Sequence, residues 1–103
     1  MTIELLYFDG CPNHEAFLPY LRDLLARAEV PARIELRRVE TLEDAERERF
    51  LGSPTVRIDG RDVDPGADQR EDYGMKCRLY ATEEGLRGAP PDDWILRALG
   101  RER

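Results

Sequence analysis

Several residue types are almost missing from this chain. There is one histidine, His14, one tryptophan, Trp94, one lysine, Lys76, and two cysteines, Cys11 and Cys77. Two cysteines are too few for a disulfide scaffold, and a 66-residue separation is not the spacing of a zinc or iron–sulfur site. No apolar run approaches the roughly 20 residues needed to cross a bilayer. The N-terminus carries Glu4 and Asp9 instead of a basic segment ahead of an apolar one, so no signal peptide is expected and a cytoplasmic location is. A basic stripe is missing too. Cations alternate with acids, as in Arg47-Glu48-Arg49 and Arg70-Glu71-Asp72, and the net charge is −6, which argues against nucleic acid as a partner. Neither nucleic acid nor membrane is an expected partner.

What is present suits one small domain. At 103 residues the chain can bury about two-thirds of its unfolded surface and has no room for a second core. Ile3-Glu4-Leu5-Leu6-Tyr7-Phe8 reads as a buried strand. Phe17, Leu21, Leu24, Leu25 and Ala28 fall on one face of a helix predicted over Asn13 to Glu29, with Pro19 inside it as a kink and Pro31 limiting its end. Arg33 to Val39 alternates apolar and charged residues, as a half-buried strand does. Thr41, with Asp44 three residues on, opens a second helix that Gly52 is expected to end. Ser53 to Ile58 reads as a strand closed by Asp59-Gly60, Arg61 to Gly74 as a long mobile loop, and Cys77 to Ala81 as a fourth strand. Pro90-Pro91-Asp92-Asp93 starts a last helix that Gly100 stops. The expected class is α/β: a three-layer domain with a four-stranded mixed sheet in the order β-α-β-α-β-β-α.

The stretch that carries chemistry is Phe8-Asp9-Gly10-Cys11-Pro12-Asn13-His14. It places Cys11 at the joint between a strand and a helix, with Pro12 where a first helical residue falls. A cysteine there faces free backbone N–H groups and the positive end of the helix dipole, both of which favour thiolate. A small buried apolar residue is the competing reading of the same cysteine. His14, as an imidazole, is a candidate base or a source of positive field near Cys11, while Asp9 and Glu15 oppose a further negative charge nearby. Cys11, Cys77 and His14 are also thinkable ligands of a soft metal, though three scattered residues make a weak pattern. Tyr7, Phe8, Tyr73, Tyr80 and Trp94 are candidates to line a substrate groove; the competing and favoured reading puts Phe8 and Trp94 in the core and the tyrosines at its margin.

In element order, in the placement of Cys11, in Pro19 eight residues later, and in Gly52-Ser53-Pro54-Thr55-Val56, the chain resembles the thioredoxin/glutaredoxin superfamily, and small bacterial members of it in particular. The resemblance spans most of the chain. It implies that Cys11 is the attacking thiol, that the Ser53–Pro54 bond is cis and lies against it, and that Pro12, Ser53 and Pro54 contact substrate. The family motif Cys-x-x-Cys is here Cys11-Pro12-Asn13-His14, so resolution of a mixed disulfide falls to Cys77 or to a small thiol such as glutathione. Two function classes follow. One is a thiol–disulfide oxidoreductase acting on a disulfide-bearing protein or small thiol, with no resident cofactor, as a monomer or homodimer. The other is a thioredoxin-like module without turnover that binds or carries a protein partner, a small thiol or a soft metal.

Overall fold

The structure is a computed structural model that describes residues 1–101. Its sheet is built from β1 (Thr2–Tyr7), β2 (Arg33–Arg38), β3 (Thr55–Ile58) and β4 (Arg61–Asp62) in the spatial order β2-β1-β3-β4. β1 runs parallel to β2, from Thr2 opposite Arg33 to Tyr7 opposite Arg38. It runs antiparallel to β3, with Leu5 opposite Val56, and β4 turns back antiparallel on β3. The helices are α1 (Asn13–Arg27), α2 (Leu42–Glu48) and α3 (Asp92–Ala98).

Alternation along β1 divides the apolar side chains between the two faces of the sheet. Ile3 and Leu5 join Val56 and Ile58 under Phe17, Leu21, Leu24 and Leu25 of α1 and Ile95 of α3. Leu6 points the other way, into a smaller cluster with Val39, Phe50 and Ala45 of α2. The protein is thus an α/β domain with a mixed four-stranded sheet and helices on both faces. On the α2 side Glu4 pairs with Arg37, which also pairs with Glu48, so the charged residues of the alternating strands find partners at the margin of the smaller cluster.

Local signals account for most element ends. The Thr41 hydroxyl accepts a hydrogen bond from the Asp44 amide at 3.0 Å and opens α2 as its sequence suggested. Pro12 caps α1 from one position earlier than expected, and the helix runs on through Pro19. α2 ends earlier than Gly52: Arg49 takes the left-handed conformation at φ 58°, and its amide bonds back into the last turn.

The fourth strand is a correction. Cys77 to Ala81 does not join the sheet. β4 takes that place immediately after the Asp59-Gly60 turn, using the start of what was expected to be loop. β5 (Tyr80–Thr82) pairs instead with β6 (Gly85–Arg87) in a separate hairpin. A tight turn leaves no room for a strand from further along the chain, because the first residues beyond it already occupy the edge of β3. Residues 64–79 carry the chain, through a single turn of 3₁₀ helix at Ala67–Gln69, back to the other end of β3.

Candidate functional site

Cys11 follows β1 and immediately precedes the cap of α1. Its amide bonds to the Phe8 carbonyl at 3.3 Å, closing a tight turn. Gly10 is needed in that turn, because a Cβ there would stand 2.5 Å from the Phe8 ring. The Cys11 side chain is completely buried.

The return segment brings Cys77 to it. The two cysteines form a disulfide with Cα atoms 5.6 Å apart, inside the range a bridge requires. Two backbone hydrogen bonds hold the segment against Ser53: the Ser53 amide donates to the Lys76 carbonyl at 2.8 Å, and the Arg78 amide to the Ser53 carbonyl at 2.9 Å. Upstream, the Gly74 amide donates to the Phe50 carbonyl at 3.0 Å. Gly52 lies under this crossing with φ 127°, and any Cβ on it would come within 2.9 Å of both the Arg78 Cβ and the Lys76 carbonyl oxygen. Only glycine lets the segment carrying Cys77 lie this close.

The next residue fixes the segment. The Arg78 side chain is fully buried, and its guanidinium reaches both Asp62 carboxylate oxygens at 2.7 and 3.1 Å, Asp64 at 3.2 Å and the Thr55 hydroxyl at 3.1 Å. It also lies 4.4 Å from the centre of the Tyr80 ring. Burial works against the charge, but the neighbouring Tyr80, Asp62 and Asp64 outweigh it, and the net effect holds the guanidinium firmly protonated. The Tyr80 hydroxyl donates to the Pro54 carbonyl at 2.5 Å, and burial pushes its pKa well above the ordinary value. Ser53 Oγ and Arg78 Nε are buried with no partner in this otherwise satisfied network. None of these contacts involves sulfur.

The sequence-derived site residues therefore converge around one spot. The Ser53–Pro54 bond is cis, and the Cys11 sulfur lies 3.5 Å from the Ser53 carbonyl oxygen. A disulfide sulfur has no proton to donate, but a Cys11 thiol would find its acceptor there. His14 sits over the joint, stacked on Tyr7 with ring centres 4.2 Å apart. Its Nδ1 lies 2.7 Å from the Cys11 carbonyl oxygen, which can only accept, so Nδ1 carries the hydrogen and neutral His14 keeps its lone pair on Nε2. Pro12 and Asn13 are exposed beside it.

Among the described residues no group of three or more His, Cys, Asp and Glu is placed to hold a metal ion. The sulfurs of Cys11 and Cys77 are bonded to each other here, and a disulfide offers no thiolate to a soft metal. No helix among the described residues is long and apolar enough to cross a membrane. The residues that sequence reasoning missed are Asp62, Asp64 and Arg78. They were read as parts of a polar loop and a strand, and only their convergence in space marks them.

No protein family matches the chain, and neither a curated protein nor a solved structure does.

Proposed function

We propose that this is a thioredoxin-like thiol–disulfide exchange protein whose reactive unit is the pair Cys11 and Cys77. The observation that carries the reading is the placement of Cys77: its segment is anchored by a buried ion-pair network and two backbone hydrogen bonds, none of which involves sulfur, and its Cα lies 5.6 Å from that of Cys11. A pair held in this way can pass between dithiol and disulfide without rebuilding the fold. Cys11 brings a helix N-terminus, which favours its thiolate. In the order that the family resemblance implies, Cys11 attacks a substrate disulfide and Cys77 resolves the mixed disulfide, which places the resolving thiol outside the Cys11-Pro12-Asn13-His14 motif. Pro12 adjoins Cys11 in the chain, the Cys11 sulfur lies 3.5 Å from the Ser53 carbonyl oxygen beside the cis bond to Pro54, and His14 bonds to the Cys11 carbonyl through Nδ1.

Equilibrating the native protein with glutathione buffers of graded potential tests this. The expected result is that both thiols appear and disappear together in a two-electron transition, with the fold retained throughout. Cys77→Ser is expected to abolish the two-electron transition. A bridge that glutathione and dithiols reduce only when the protein unfolds would make it a structural cross-link and defeat the proposal.

A further inference from the structure

The two cysteines are not equally accessible. Cys11 is completely buried, whereas Cys77 is exposed. Thiol–disulfide exchange is an in-line displacement in which the incoming thiolate approaches the attacked sulfur from the side opposite the leaving one, so access decides which sulfur is attacked. Ser53 closes the approach further. Its amide and carbonyl are both taken by Lys76 and Arg78, so no free backbone edge remains at Ser53 for an extended peptide to pair with beside Cys11.

We infer that exchange with outside partners runs through Cys77, and that Cys11 is the inner, resolving thiol, the reverse of the order the family resemblance implies. The inference rests on the pair being exchange-active. The step balances simply. An external thiolate attacks the Cys77 sulfur, a new disulfide forms between them, and the Cys11–Cys77 bond breaks with its electron pair going to Cys11. The external sulfur is oxidised and Cys11 is reduced. On taking a proton from solvent, the Cys11 thiol can donate it to the Ser53 carbonyl oxygen 3.5 Å away. A second external thiolate then attacks the outer sulfur of the adduct and releases Cys77. By microscopic reversibility, oxidation by an external disulfide begins with Cys77 as nucleophile and ends with attack by Cys11 on the Cys77 adduct.

Rapid mixing of the oxidised protein with reduced glutathione, an acid quench and peptide mass spectrometry locate the first adduct. Glutathione on Cys77, with Cys11 as free thiol, is the expected product at the earliest times, at least tenfold over an adduct on Cys11. An adduct mainly on Cys11, or equal amounts on both, overturns the assignment while leaving the exchange activity intact. No reaction at all in the folded protein defeats the exchange reading itself. Where re-closure is too fast for an adduct to accumulate, Cys11→Ala loaded with glutathione on Cys77 and Cys77→Ala loaded on Cys11 answer the question by exchange with isotopically labelled glutathione. Faster exchange at Cys77 supports the inference, and equal or faster exchange at Cys11 refutes it.

Discussion

The two halves of the disulfide are held in place by different physics. Cys11 follows a strand whose neighbours are locked by apolar packing: Ile3, Leu5, Leu21 and Val56 are all fully buried, on three different elements. Cys77 lies on a segment with little apolar surface to bury, positioned by one guanidinium, two carboxylates, a hydroxyl and a few backbone hydrogen bonds. The first kind of support is spread over many contacts, each worth a fraction of the total, so trimming one weakens the fold without moving the site. The second is concentrated in Arg78. Losing that side chain leaves the largely buried Asp62 and Asp64 unpaired, a costlier defect than a small cavity.

The strongest test of this contrast pairs Arg78→Met with Leu21→Ala. Arg78→Met is expected to cost about 3–5 kcal/mol, the usual loss when one partner of a buried ion pair is removed. Leu21→Ala is expected to cost about 2–5 kcal/mol through the cavity it leaves. Urea unfolding of the reduced proteins measures both. The decisive readout is different: after reduction and removal of the reductant, Arg78→Met should re-form the bridge more slowly, whereas Leu21→Ala should match the parent. Equal slowing in both would show that general stability, not Arg78, positions Cys77.

A smaller effect is expected from Gly52→Ala. At φ 127° any other residue is strained by about 1–3 kcal/mol, and the added Cβ meets the segment that carries Cys77. The bridge of the variant should be reduced faster by glutathione than the parent's. An unchanged reduction rate would mean that the segment can shift without loosening its hold on the sulfur.

The smallest effect belongs to Asp72, on the exposed part of the return segment. Arg70, and then Lys76, hold its carboxyl well below the usual carboxylate range. A depressed value stabilises the fold at pH above the unfolded value near 3.8, and the contribution fades as the pH falls from there toward the folded value. The group is half-exposed, so solvent screening limits the effect to under about 1 kcal/mol. Asp72→Asn should therefore be slightly less stable than the parent at pH 7 and converge with it in strong acid. A gap that widens in acid would reverse the assigned sign.

The residues that sequence periodicity placed correctly are those whose burial is settled locally. Strand alternation in Ile3 to Tyr7, the stripe from Phe17 to Leu25, the Thr41 cap and the position of Cys11 at a strand–helix joint all depend on neighbours a few residues away. Those signals sufficed for an α/β domain with a mixed sheet and for one half of the candidate site. The other half was decided in three dimensions. Hydropathy alone would turn Leu79 inward and Arg78 outward, yet Arg78 and Tyr80 are buried while Cys77 and Leu79 are exposed. A buried charge is tolerated only where partners meet it, and the partners of Arg78 come from Asp62 and Asp64, across the long return of the chain. The same fact moved the fourth strand. With Arg61–Asp62 already paired to β3, its acidic residue faces the incoming arginine, and the segment that reads as a strand is carried past the sheet edge to close on Cys11. Local sequence set Cys11 at a strand–helix joint; the tertiary ion pair decided that Cys77 would come within bonding distance of it, with Cys11 buried and Cys77 exposed.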